Sequence, residues 1–144
     1  MVAQIGSFAR STGIEVISLP VKASTTITQG KGVEQDANGF AKAGTTGGTV
    51  ALGLYVAIET VDNSAGADGA LTVRCASGNS FVYMEAGGAI NFGHTVKFDA
   101  NADCVATTSA PDTKTFGRFI AHENESLTPT DASDGDTIIV RLGL

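Results

Sequence analysis

Residue types able to do chemistry are sparse in this chain. His94 and His122 are its two histidines, Cys75 and Cys104 its two cysteines, and Asp99-Ala100-Asn101-Ala102-Asp103 its clearest array of oxygen ligands. A histidine works as a general base when a nucleophile lies on one side of the ring and an orienting carboxylate on the other. Neither histidine stands in a recognised arrangement of that kind. The D-x-N-x-D spacing opens a calcium loop, but Cys104 stands where that loop needs glycine and Ala110 where it needs its bidentate glutamate. The cysteines form no C-x-x-C pair and no His/Cys spacing of zinc-site type. They read as two buried free thiols, with a Cys75–Cys104 bridge as the alternative. Gly44-Thr45-Thr46-Gly47-Gly48 lacks the lysine of a phosphate-binding loop and reads as a hairpin connection. Asn124-Glu125-Ser126 has the spacing of a glycosylation acceptor, a chance match in a chain made in the cytosol. No catalytic, cofactor-binding or metal-ligating residues are expected, and an enzyme is not.

The elements that position these residues are strands and turns. Ile14 to Leu19, Leu71 to Cys75, Phe81 to Glu85, Thr95 to Phe98 and Thr137 to Leu142 are short and rich in β-branched and aromatic side chains, with Gly, Asn, Asp and Ser between them. The 18 glycines and the lack of helical periodicity predict an all-β domain of about ten strands, a small β-barrel or sandwich. Asp36-Ala37-Asn38-Gly39 predicts a tight two-residue hairpin turn at Asn-Gly, because those residues tolerate positive φ. Asp99 to Asp103 is expected to turn in the same way.

That expectation follows from an internal duplication. Ala23, Ile27, Gly30, Val33, Asp36, Ala37 and Asn38 recur at a constant offset as Ala86, Ile90, Gly93, Val96, Asp99, Ala100 and Asn101. Gly53, Ala57 and Glu59 then align with Gly117, Ala121 and Glu123, and Leu71 to Arg74 with Ile138 to Arg141. On this alignment Cys104 replaces Ala41, Cys75 replaces Leu142 and His122 replaces Ile58, all places for a packed side chain. Two pseudo-repeated β units, about 20–75 and 83–142, build a single domain over 14–144. Residues 1–13 precede it as an extended N-terminal arm with scattered apolar side chains. The arm is either a frayed terminus or a strand that orders on the sheet edge of a partner through Val2, Ile5, Phe8 and Arg10.

At 144 residues the chain buries enough surface for one core without a metal or disulfide staple. A formal charge of −6 disfavours nucleic acid and anionic membrane as partners. The apolar run Val50 to Ile58 is about half of a membrane span. The first residues lack the features of a secretory signal, so folding in a reducing cytoplasm is expected. The loop Asn124 to Asp136 carries several acids and reads as a solvated loop, with a contact loop as the lesser alternative.

Some of these residues also carry a resemblance. Gly53-Leu54-Tyr55-Val56-Ala57-Ile58-Glu59, then Gly69-Ala70-Leu71-Thr72-Val73-Arg74, Gly87 to Ile90, Gly93 to Asp99 and Asp136 to Leu142 resemble the head decoration, or capsid cement, proteins of tailed bacteriophages. The similarity runs from Pro20 to Leu144 and leaves out the arm. It implies a virion structural protein made in the host cytoplasm and bound to the capsid exterior of an expanded icosahedral head. Its partner there would be the major capsid protein, whose subunits it would lock together. It further implies a homotrimer, with a bridging monomer as the alternative. The competing readings are another virion component, in the tail tube or baseplate, and a β-module for a small ligand or glycan.

Overall fold

A computed structural model of the chain describes residues 3–45, 53–107, 114–123 and 130–143. Twelve strands and no helix occur among them. The first half contributes β1 (Val16–Pro20), β2 (Thr25–Ile27), β3 (Gly32–Gln35), β4 (Ala41–Ala43), β5 (Leu54–Ala57), β6 (Val61–Asn63) and β7 (Thr72–Ala76). The second contributes β8 (Phe81–Glu85), β9 (Thr95–Phe98), β10 (Cys104–Ala106), β11 (Gly117–His122) and β12 (Thr137–Leu142). One five-stranded antiparallel sheet runs β1-β7-β5-β3-β4, the other β8-β12-β11-β9-β10, and β2 pairs with β6 in a small third sheet. The two orders are the same order. Even the β2–β6 pair is echoed, by an isolated bridge from Ile90 to Ala132. The architecture is sandwich-like, not a closed barrel.

Equivalent backbone hydrogen bonds fix the correspondence between the halves. From β2 to β4 they follow the sequence repeat: Lys31 N–H donates to Thr28 O as His94 N–H does to Asn91 O, and Gly30 and Gly93 share a positive φ. At β5 they depart from it. Ala57 exchanges hydrogen bonds with Gly30 and Lys31, and its counterpart is Phe119, bonded to Gly93 and His94, where residue matching had placed Ala121. Ile120 is the extra residue of a β-bulge between Phe119 and Ala121, and beyond it Ala121 and His122 pair with Ile139 and Ile138. The offset from residue matching is already present at Gly117, which pairs with Val96 as Tyr55 pairs with Val33, so it arises in the connection before β11 and not at the bulge.

The cores repeat as well. Leu19, Val21, Ile27, Val33, Ala41, Ala57, Val73 and Cys75 form one buried cluster. Their counterparts Met84, Ala86, Ile90, Val96, Cys104, Phe119, Ile138 and Val140 all lie in the other, so that Val21 and not Ala23 matches Ala86, Val73 matches Ile138, and Cys75 matches Val140 and not Leu142 as residue matching had it. That second cluster also takes in Val56 and Ala76, which belong to the first sheet. Successive strand residues face opposite ways, so the first sheet buries Val33, Ala57 and Cys75 on one face and Gly32, Val56 and Ala76 on the other. Its second face is the wall against which the other half packs. Phe98 lies flat there. Its ring stacks on Phe116 with centroids 4.2 Å apart and occupies the space that a Cβ on Gly32 or Gly44 would need.

The hairpin turns show why Asp-Ala-Asn is duplicated. Asp36 N–H donates to Phe40 O at 2.9 Å, so three residues, Ala37 to Gly39, form the loop, and Gly39 alone has positive φ. This is a type I turn closed by a left-handed residue, one residue longer than the turn expected from Asn-Gly. Asp36 Oδ1 accepts from Asn38 N–H and Phe40 N–H at 2.9 and 3.0 Å; Asp99 Oδ1 accepts from Asn101 N–H and Asp103 N–H at 2.7 and 3.0 Å. The aspartate satisfies the turn's own backbone.

Candidate functional site

The residues able to do chemistry are dispersed into structural work. Asp99 caps its turn, and Asp103 accepts an ion pair from Lys31 at 2.5 Å, which ties the second half to the first. Cys75 and Cys104 are free, buried and in different clusters. Burial, and to a lesser degree the nearby Glu59 carboxylate, pushes the Cys75 thiol up to about 12. Burial raises Cys104 in the same direction. Neither is a thiolate near neutral pH. The His122 ring packs edge-on against Phe119 and its Nε2 lies 3.0 Å from Asp131 O, while His94 is exposed. Asp131 and Asp136, from the acidic loop, accept from Phe92 N–H and Ser133 N–H. Asn124 to Pro129 of that loop, which include the glycosylation-type tripeptide, lie outside the described residues, as do Ala110 and Thr46 to Leu52, the last holding most of the glycine-rich hairpin connection.

One buried charged cluster was not foreseen. Glu34 on β3 points into the junction between the halves, where Lys114 Nζ meets it at 2.5 Å and Lys42 Nζ at 3.1 Å. The Glu34 and Lys114 side chains are 4% and 5% exposed. Burial works against the Glu34 charge, but the two lysines outweigh it and hold the carboxyl below its usual range. Glu34 and Lys114 are far apart in sequence, and no local pattern announces their meeting.

The arm residues are also placed. Gly6 N–H donates to Tyr83 O at 2.8 Å, Tyr83 N–H to Ser7 O at 3.0 Å and Ala9 N–H to Phe81 O at 2.8 Å. The segment thus runs antiparallel along the edge of β8 in its own chain, with Phe8 bridging Val82 and packing on the core. Ile5 lies against Gly30, and the Arg10 guanidinium sits 5.6 Å from the centre of the Phe81 ring. Val2 lies outside the described residues.

An unpaired strand edge is where a β protein recruits another chain. The two five-stranded sheets have four such edges. Lys22 N–H bonds to Ala41 O along β4, Gly87 N–H bonds to Cys104 O along β10, and residues 6–9 cover β8. No described segment covers β1. Of the five exposed large hydrophobic residues among those described, Val16 and Ile17 lie on β1 and Ile14 just before it.

No family model matches the chain, and no curated protein matches it. Among solved structures it is similar to the N base of the head fiber gp8.5 of bacteriophage phi29. That likeness covers 90% of this chain and 95% of the other, with a TM-score of 0.55 and 14% sequence identity. It is a likeness of fold, spanning both pseudo-repeated halves, and that structure is the base of a fiber on a phage head.

Proposed function

We propose that the protein is a structural, non-enzymatic component of a bacteriophage head, a decoration or cement protein on the outer surface of the expanded shell. The observation that carries this reading is the fold shared with the phi29 head fiber base over 90% of the chain. The residue patterns from Gly53 to Arg74 and from Gly87 to Leu142, which resemble those of head decoration proteins, support it independently. On this reading the major capsid protein is the partner and the protein stabilises contacts between its subunits. A homotrimer suits the role, because three weak contacts held on one assembly act at an effective concentration on the order of millimolar for short tethers and bind jointly more tightly than singly. Val2, Ile5, Phe8 and Arg10 contribute to attachment on this reading, with residues 6–9 held along β8.

The test is to mix the purified protein with undecorated expanded heads and determine occupancy by cryo-electron microscopy. Saturable density at symmetry-related positions, on heads that then survive heating better, is expected. Heads that stay bare at saturating protein would sink the reading.

A further inference from the structure

We propose that the open edge of β1 is the attachment edge, where an extended apolar strand of a head coat protein adds to the sheet antiparallel to β1. This inference rests on the head-attachment reading and names the contact that would carry it.

The pseudo-repeat shows what an occupied edge looks like. Val21 N–H bonds to Leu71 O just past β1 as Ala86 N–H bonds to Asp136 O just past β8, so Val16, Ile17 and Ser18 correspond to Phe81, Val82 and Tyr83. At β8 the outward carbonyls of Phe81 and Tyr83 and the Tyr83 N–H all bond to residues 6–9. Val82 is fully buried beside Phe8. At β1 the phase is the same. Ser77 N–H bonds to Glu15 O, which turns Ile17 and Leu19 toward β7 and leaves the backbone groups of Val16 and Ser18 facing outward. Here Ile17 is 37% and Val16 48% exposed. Pro20, with no N–H to offer, ends the available ladder. The first half thus has the edge that the second half fills, and lacks only the strand.

Among the described residues no segment is left to supply the strand. Residues 6–9 are engaged on β8, and the other two edges are met by the chain's own backbone. A second copy offers only its own β1 among described edges, which would close a twofold pair and leave no edge for the head. Glu15 is the single charge between Ile14 and Pro20, so a partner strand that is apolar, and neutral or basic opposite Glu15, complements the edge. Main-chain bonds supply affinity in such strand addition, and the side-chain pockets supply register.

The experiment compares the full chain with Ser18→Pro, which removes an outward donor, and Ile17→Lys, which puts a charge at the position matched to buried Val82. Binding to undecorated expanded heads is measured by co-sedimentation, with thermal unfolding as the fold control. Both variants should unfold at the wild-type temperature and bind about tenfold or more weakly. Should the proline disturb the strand, Ile17→Lys leaves every backbone bond in place and decides the matter alone. Wild-type binding with undiminished variants overturns the edge while head attachment stands. Failure of the wild type to bind overturns head attachment, and the edge proposal with it. A twofold dimer in solution that Ser18→Pro dissolves makes the occupant a second copy and overturns the coat-protein strand.

Discussion

The two halves share strand order, turn chemistry and eight matched core positions, yet they differ in what covers them. The first sheet is buried on both faces, by its own core and by the second half, but no described segment covers its β1 edge. The second sheet has the larger aromatic core, with Phe98, Phe116 and Phe119, and its β8 edge is closed by residues 6–9. The difference follows from chain order. A segment that precedes the first half is free to reach the second, whereas the link from β7 to β8 is a short turn through Ser77 to Ser80 and supplies no covering strand. Duplication copied the fold, and the contacts between copies then made the surfaces unequal.

The largest expected effect lies where burial of both faces of the first sheet imposes a charge on its interior. Glu34 occupies the position matched by half-buried Lys97 in the second sheet. Glu34→Gln leaves Lys114 buried with its principal partner neutralised, and should cost about 3 kcal/mol in urea unfolding. Adding Lys114→Met should recover part of that loss, because the buried lysine charge left without its carboxylate is then gone. The pH dependence has a definite sign. Glu34 is held below its usual value of 4.5 when folded, so its contribution is present above that value and lost as pH falls through the lower folded one. The wild type should therefore lose stability in acid more steeply than Glu34→Gln, measured by thermal unfolding from pH 7 to pH 3. Equal acid slopes would show that the ion pair contributes nothing.

The next effect separates the two edges. Val82→Ala opens a cavity beside Phe8 and should cost about 2 kcal/mol. Ile17→Ala at the matched open position should stay within about 0.5 kcal/mol in the free protein. Similar losses at both sites would mean that β1 is covered after all.

The smallest effect tests what the halves kept in common. Gly39 and Ala102 close the two equivalent turns at φ of 89° and 60°, a region costly for any residue with a Cβ. Ala102→Gly should raise stability by about 1 kcal/mol and Gly39→Ala should lower it by a similar amount. A destabilising Ala102→Gly would break the equivalence of the turns.

Much of this was legible from residues alone. The strands Phe81–Glu85, Thr95–Phe98 and Thr137–Leu142 fall where their β-branched and aromatic runs placed them, and the repeated Asp-Ala-Asn marks both hairpins. The match of Ala57 to Ala121 failed because the span from Ala41 to Ala57 is one residue longer than that from Cys104 to Phe119, while residue types that recur two positions apart made it look one shorter, so identity of side chain misreported identity of position. The pairing of Glu34 with Lys114 and the covering of Val82 by Phe8 left no local trace, since each joins residues far apart along the chain.

The sequence by itself determined the all-β class, the duplication, the places of both Asp-led turns and the burial of both thiols. These depend on alternation, on side chains that bond to backbone two to four residues away, and on composition. Tertiary structure alone decided which sheet is buried on both faces, which charge must be paired inside, and which of two equivalent edges the N-terminal segment closes. Those outcomes depend on how two similar units meet in space, and a chain that lists the same unit twice does not say which copy will lie against the other.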